Sequence, residues 1–397
     1  MLGLLLSQFP RYDETFILRE VTALSQANGQ PVIFSLRLCR DRVIHADATQ
    51  LQSRTVYAPF VWSHSVWRSQ AIFLRRTPRA YWGAVWWIMS RHWRHPAILL
   101  KTLAFFPKTV HFARLMVQRG VTHVHAFWAT YPATSAMIIQ RLTGIPYSVS
   151  GHAHDLYTTN PTLVEKLRGA RFVVTCTEAN RDYLHRLTQG ASCPIYVNYH
   201  GVDLSRFAPA PKRPGGTLQI LSVGSLLPCK GYETLVDACR ILRHMGVAFR
   251  CTIAGGGPLQ ATLRRQIWRR GLGAHVQLTG YVTQEVVAAL YQQAQLFVLP
   301  LVSRIHWGIP NVLIEALATK TPVICCDLPS MRELVAHGDS GWIIPERNPR
   351  ALAEAIAALG ADAALRQQLA TSGYQRVAER FSLQRTGQAL RELLVRP

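Results

Sequence analysis

The segment Leu218-Gln-Ile-Leu-Ser-Val-Gly-Ser-Leu-Leu-Pro-Cys-Lys-Gly231 decides the fold of this chain. Its first six residues are a mostly apolar run of strand length, Gly224 breaks the run, and a helix-like pattern opens after Gly231. Strand, tight turn and helix in that order set main-chain N–H groups beside the positive end of a helix dipole, a place that receives anionic oxygens. The plan recurs twice. Arg250 to Ala254 leads into I-A-G-G-G-P at Ile253 to Pro258, and the apolar run Leu296 to Leu299 precedes G-I-P-N-V-L-I-E-A-L-A at Gly308 to Ala318. Three such turns in one half of a chain point to a ligand rich in phosphate oxygens, a nucleotide diphosphate.

Away from these turns, short apolar runs alternate with amphipathic segments. Leu2 to Leu6, Val32 to Leu36, His123 to Ala126, Tyr147 to Val149, Phe172 to Thr175 and Ile195 to Val197 read as the strands of a first half. Leu218 to Val223, Arg250 to Ala254, His275 to Leu278, Leu296 to Leu299, Val323 to Cys325 and Trp342 to Ile344 read as those of a second, with helical pattern from Pro349 onward. Such alternation predicts doubly wound parallel sheets. Pro209-Ala-Pro-Lys-Arg-Pro-Gly-Gly216 interrupts the pattern and is the expected linker.

At 397 residues and 49% hydrophobic composition the chain has core enough for two domains. Forty-four Lys and Arg against 22 Asp and Glu give a net charge of +22, which biases the surface toward lipid headgroups, acidic polysaccharide or nucleic acid. No recognisable nucleic-acid-binding motif accompanies the charge, so no nucleic acid partner is expected. The eight cysteines form no C-x-x-C pair and fall mostly in strand-like runs, which predicts buried free thiols in a reducing compartment. No D-x-D element is present to hold a divalent ion on a diphosphate, and neither metal nor other cofactor is expected. Met1 to Ser7 is apolar without a basic start, reads as a first buried strand and not a signal peptide, and suggests the cytoplasm.

Four further stretches join the three turns: F-P-R-Y-D-E-T-F-I-L-R-E from Phe9, T-H-V-H-A from Thr122, L-T-G-I-P-Y-S-V-S-G-H-A-H-D from Leu142 and Y-H-G-V-D-L-S-R-F from Tyr199. Together they resemble the GT-B family 4 glycosyltransferases, in a bacterial exopolysaccharide or colanic-acid-type branch, over nearly the whole chain apart from the divergent stretch between Arg40 and Gly120. The resemblance implies two Rossmann-like domains facing a cleft: residues 1–208 on the acceptor side, a linker at 209–216, a donor domain at 217–373, and a C-terminal helix at 374–397 crossing back to the first domain. It implies transfer of a sugar from a nucleotide-sugar to a polysaccharide or lipid-linked glycan, with retention and without metal. The leaving diphosphate itself takes the acceptor proton in that family's front-face reaction. The protein's task is then to stabilise charge growing on phosphate oxygens.

Site residues follow by position. In the family's G-R-L-x-x-x-K-G pattern an Arg and a Lys hold the diphosphate; here Gly224 and Lys230 stand in place, but Ser225 occupies the Arg position. Lys230 becomes the main expected cation, since a serine hydroxyl replaces a forked guanidinium with one neutral hydrogen bond. Arg304 is a candidate substitute or a solvated loop charge. In the E-x7-E pattern Glu315 matches the carboxylate that accepts from ribose hydroxyls, while the earlier carboxylate is replaced by Trp307, which can stack on a sugar but cannot accept its hydroxyls. Gly308, Ile309, Pro310 and Asn311 are expected to cradle the sugar, and Gly255 and Gly256 to let the chain pass close to the nucleotide. His152 and Asp155 of G-H-A-H-D are expected on the acceptor side, with His152 as the catalytic candidate holding a hydroxyl or phosphate. His154 reads as a loop histidine, and Gly201 with Asp203 as a turn. Glu14-Thr15-Phe16 opens the first helix and either faces the diphosphate or caps. Because Ser225 and Trp307 both depart from the pattern, the alternative is a catalytically weak or inactive GT-B subunit that binds nucleotide or glycan and supports a partner enzyme.

One tract stays unexplained by these motifs. Between Tyr81 and Gly120, Trp82, Trp86, Trp87 and Trp93 alternate with Arg91, Arg94, Lys101 and Lys108, and the charges interrupt every apolar run short of the ~20 residues a spanning helix needs. The pattern suits an interfacial helix on an anionic leaflet, peripheral at the inner face of the cell membrane; the bland alternative is that the tryptophans pack the first domain.

Overall fold

The structure is a computed structural model that describes residues 1–11, 14–25, 30–39, 46–189, 193–211, 216–303 and 308–395. It contains two compact units, Met1–Tyr199 with Gly387–Pro397, and His200–Thr386.

In unit 1 the strands are β1 (Leu2–Gln8), β2 (Val32–Arg37), β3 (Thr55–Tyr57), β4 (His123–Phe127), β5 (Tyr147–Gly151), β6 (Val173–Thr175) and β7 (Ile195–Val197). They form one parallel sheet in the order β3-β2-β1-β4-β5-β6-β7. Strand side chains alternate between faces. Leu5, Phe34 and Val173 therefore join the core under the helices of 64–143, while Leu4, Leu6, Ile33 and Val174 join a second core under the helix Thr15–Ser25. Burial on both faces is why these strands read as continuous apolar runs. The sequence reading lacked β3, whose three residues carry too little pattern to stand out and which is held by pairing of Ile33, Phe34 and Ser35 with Thr55, Val56 and Tyr57.

Two strands of this sheet carry a buried polar ladder. His123 Nε2 and His125 Nδ1 each lie 2.8 Å from Ser148 Oγ, and His125 Nε2 lies 2.9 Å from Ser150 Oγ. Burial pushes the His125 imidazole down to about 3 and His123 to about 4, so both are neutral in the folded protein near neutral pH.

Unit 2 contains β8 (Leu218–Val223), β9 (Phe249–Ala254), β10 (Val276–Gly280), β11 (Leu296–Leu299), β12 (Val323–Cys326) and β13 (Trp342–Ile344), all parallel in the order β10-β9-β8-β11-β12-β13. Both sheets reverse their winding beside the first strand, between β1 and β4 and between β8 and β11. Such reversals open the place where doubly wound sheets bind ligands.

The unit boundaries differ from the expected ones. Residues 200–208, assigned above to the first domain, belong to unit 2: Val202 exchanges main-chain hydrogen bonds with Phe381 and Leu383, Phe207 is buried, and Gln292 donates to the Ala208 carbonyl. Asp203 Oδ1 accepts from Ser205 N–H, Ser205 Oγ and Arg206 N–H, so this motif shapes a turn. Of the expected linker, 212–215 lies outside the described residues. Tyr374 likewise falls inside the unit 2 helix Ala363–Arg380, held where Gly373 packs on Leu317. Only from Gly387, within the helix Leu383–Val395, does the chain rejoin unit 1, where Leu390 is buried and Arg391 donates to the Ala23 carbonyl at 2.7 Å. All eight cysteines are free thiols; Cys39 and Cys193 are half-buried and the other six buried.

Candidate functional site

In unit 2 the three motif turns follow β9, β8 and β11, three neighbours in the sheet, so segments far apart in sequence meet at one carboxyl edge. Their packing explains the glycines. Gly224 (φ +148°) and Gly255 (φ +147°) adopt conformations that other residues avoid, and a Cβ on Gly255 would fall on the Gly224 carbonyl oxygen. Main-chain bonds tie the two turns together: Gly224 N–H donates to Ala254 O, and Leu226 N–H to Gly256 O, each at 2.9 Å. The third turn leans on the first, because Val302 N–H donates to the Cys229 carbonyl at 2.9 Å and a Cβ on Gly231 would fall on the Pro300 carbonyl oxygen.

Lys230 ends the short 3-10 turn Pro228–Lys230 and is half-buried. Its side chain runs back along the first turn, with Cε 3.9 Å from where a Cβ on Gly224 would stand. Burial holds its ammonium below the usual lysine range, opposed by the Cys229 thiol. Ser225, in the expected Arg position, is exposed. Gly308, Ile309 and Pro310 lead into the helix Asn311–Ala318. Asn311 Oδ1 at its start is buried and accepts no hydrogen bond among the described residues. Glu315, one turn further on, is buried, its Oε2 3.3 Å from the hydroxyl of the fully buried Tyr291. Trp307 and Arg304 lie outside the described residues. Sequence reasoning overlooked Gly257 (φ +154°), where a Cβ would meet Leu226 N at 2.8 Å, and Tyr232, whose hydroxyl donates to the Gly224 carbonyl at 3.0 Å. The G-G-G run was the available signal for the first; nothing local announced the second.

In unit 1 the corresponding edge is built from side chains. His152 follows β5 directly and is buried, with its ring edge-on to Phe16 at 4.9 Å and to Trp128 at 4.7 Å. Phe16 comes from the helix after β1 and Trp128 from the turn after β4, so the three rings gather from adjacent strands across the reversal. Trp128 holds φ +86°, an uncommon conformation for a bulky residue. Its indole N–H is 3.4 Å from Glu14 Oε2, and Glu14 pairs with Arg11 at 3.0 Å. Sequence reasoning named Phe16 and Glu14 but missed Trp128, whose place beside His152 depends on sheet order.

Asp155 underlies this cluster. One carboxylate oxygen accepts His152 N–H at 2.8 Å and the other Ala129 N–H at 2.5 Å. Burial raises its pKa to about 6 against these two donors and Lys166. Lys166 is itself buried, donates to Asn160 Oδ1 at 2.6 Å, and is lowered by burial to about 7 against the opposing pull of Asp155. Asp155 therefore acts on the main chain that positions His152. His154, one residue from the buried Ala153, is exposed.

Two parallel α/β units, each winding outward in both directions from its first strand and one carrying interlocked glycine turns, define the GT-B class of fold. Solved structures agree: a glycosyltransferase from Rickettsia africae superposes with TM-score 0.73 at 17% identity over 99% of this chain and 97% of that one. Anabaena HepE in complex with UDP does so with TM-score 0.73 at 16% identity over 99% of both chains. Residues 206–376 match the family described as "Glycosyl transferases group 1", so the chain carries a glycosyl transferase group 1 domain. It is 40% identical over 177 residues to the putative colanic acid biosynthesis glycosyltransferase WcaL of Escherichia coli, covering 43% of this chain and 44% of that protein. It is 35% identical over 184 residues to the amylovoran biosynthesis glycosyltransferase AmsK of Erwinia amylovora, covering 44% of each. The chain spans about half the length of the curated relatives it matches.

Proposed function

We propose that this chain is a retaining, metal-independent glycosyltransferase that moves a sugar from a nucleotide-sugar to a polysaccharide or lipid-linked glycan in exopolysaccharide synthesis. The observation that carries this reading is the interlocking of three glycine turns at the β9-β8-β11 edge, with Lys230 folded back along the first. Its ammonium, already short of water, gains from a diphosphate the counter-charge that burial makes valuable, and more so as negative charge builds on the leaving group. Glu315 is an acceptor suited to the ribose diol, and the Asn311 amide oxygen to a sugar hydroxyl. On unit 1, His152 is the group that meets the acceptor or the transferred sugar, and the Phe16 and Trp128 rings give a sugar an apolar face. Relatives named for colanic acid and amylovoran synthesis support the acceptor class, and HepE, crystallised with UDP, puts uridine donors first in a screen.

The test is thermal stabilisation by nucleoside diphosphates and their sugars, followed by turnover of the responding donor with membrane extract as acceptor, with and without chelator. A ligand at 100 times its dissociation constant adds about 2.7 kcal/mol to stability. One donor class should stabilise and turn over, undisturbed by chelator, with the anomeric configuration kept. The exposed Ser225 in the Arg position favours a second reading, a binding subunit without turnover; stabilisation by nucleotide with silence across all donors selects it.

A further inference from the structure

The helix Pro78–His92 has two apolar faces: one is buried against unit 1, and the other, apart from an edge-on contact of Trp82 with Tyr81 at 5.6 Å, is left exposed by the described residues. Ala84, Trp87, Ile88 and His92 are buried. Trp87 is fastened there: its indole N–H donates to Glu165 Oε2 at 2.6 Å, Arg141 lies over its ring at 4.7 Å, and Arg91 pairs with Glu165 at 2.9 Å. This side cannot be turned outward without breaking those contacts. On the opposite side Trp82, Trp86 and Met89 recur at the spacing of one helical stripe, which Trp93 extends in helical conformation past the last turn. They are 61, 73, 43 and 63% exposed respectively. Four large apolar side chains in register, three of them indoles, form a patch that a protein surrounded by water alone has no reason to keep.

The charge around the stripe has one sign. Residues 48–154 contain twelve Lys and Arg and no Asp or Glu. Arg75, Arg76 and Arg79 are exposed at and just before the start of the helix, and the Arg94 guanidinium lies 4.9 Å over the Trp93 ring at its end. The preceding segment adds the stacked pair Trp62 and Trp67, both exposed. No helix among the described residues is long and apolar enough to cross a membrane. Indoles on one face of a helix with guanidiniums at its margin match the depth profile of an anionic leaflet, where Trp sits at the headgroup boundary and Arg meets phosphate.

We propose that the Trp82-Trp86-Met89-Trp93 stripe is a docking surface for an anionic phospholipid bilayer, with the helix lying in the interface and Arg75, Arg76, Arg79 and Arg94 on lipid phosphates. The proposal stands whether or not the chain is a transferase.

The test is flotation of the full chain with vesicles of phosphatidylcholine alone and with vesicles containing phosphatidylglycerol. The chain should float with the anionic vesicles, release several-fold as salt rises and screening shortens to below about 10 Å, and show quenching of tryptophan by brominated lipid. Trp82→Ser, Trp86→Ser and Trp93→Ser combined should cut partition at least tenfold with an unchanged melting temperature, since all three side chains are exposed. Arg75→Glu, Arg76→Glu and Arg79→Glu combined should remove the preference for anionic vesicles while leaving nucleotide stabilisation as in the parent. Equal partition to both vesicle types, no partition to either, or parental binding by the folded triple-Trp variant would overturn the proposal. So would lipid-free self-association that the triple-Trp variant abolishes, because the stripe would then serve a second copy of the chain.

Discussion

The carboxyl edge of the unit 2 sheet is made largely of main chain, whereas that of the unit 1 sheet is made of rings. In unit 2, Gly255 and Gly257 bring one turn against another so closely that a Cβ would collide, and Lys230 lies along the first turn. In unit 1, Phe16, Trp128 and His152 meet edge-on above a buried Asp155 that holds two main-chain N–H groups. Main chain presents oriented donors that suit phosphate whatever it carries; side chains present shape and titratable groups, which suit discrimination among hydroxylated partners. The two edges therefore fail in different ways when altered. Unit 1 rests on a buried ionisable network, and unit 2 on steric fit.

The largest effect is expected where that network is broken. Lys166→Met removes the cation beside Asp155 and leaves a buried carboxylate with less compensation, which costs on the order of 3 kcal/mol or more. Hydrogen exchange resolved by peptide should show the loss in unit 1 while unit 2 protection holds; uniform loss across both would mean the units do not behave separately. Lys230→Ala touches the other edge: transfer should fall about 10²-fold or more, and affinity for the free nucleoside diphosphate with it, at unchanged stability. Full activity in the folded variant would remove Lys230 from the reaction.

Acid separates the units next. His125 and His123 are neutral when buried, so their contribution is full above the ordinary histidine pKa near 6.5 and is lost as pH falls toward their folded values of about 3 and about 4. Asp155, raised to about 6, works the other way, gaining stability as pH falls below that value. With His92 and His111 also lowered by burial, the histidines outweigh Asp155, and unit 1 should lose on the order of a few kcal/mol between pH 6.5 and 4.5. No strand of unit 2 contains a histidine. Exchange at the two pH values should therefore rise in β4 and β5 first, and His125→Leu with Ser148→Ala and Ser150→Ala should flatten the slope. Equal acid loss in both sheets would contradict the assignment.

Two smaller effects sharpen the contrast. His152→Ala should lower transfer about tenfold or more, short of the roughly 10²-fold or more expected of a group that itself transfers the proton, without changing nucleoside diphosphate affinity. Weakened nucleotide binding in that variant would show that the unit 1 edge handles phosphate too. Glu315→Gln should weaken nucleoside diphosphate binding a few-fold, because an amide offers one acceptor oxygen where a carboxylate offers two. If the parent binds ribo- and 2′,3′-dideoxy-nucleotides equally, the ribose assignment fails.

The two parallel sheets, nearly every strand and the glycine turns of unit 2 are legible in the amino-acid order alone. These are local matters: a strand buried on both faces must be apolar throughout, and a turn that another backbone touches must lack a Cβ. What depends on neighbours distant in the chain emerged only on folding. Strand order carried β9, β8 and β11 side by side and set Trp128 against His152. Packing of 200–208 on 381–383 moved the unit boundary ahead of the Pro- and Gly-rich segment that had seemed the linker. Burial paired Asp155 with Lys166, residues of unremarked spacing whose pKa values shift only once water is gone. The same holds for the tryptophans of the helix Pro78–His92, where one composition was read two ways: Glu165, distant in sequence, draws Trp87 inward and leaves Trp82 and Trp86 to solvent. Helical spacing allots residues to faces, but which face is covered depends on what the rest of the chain brings to it.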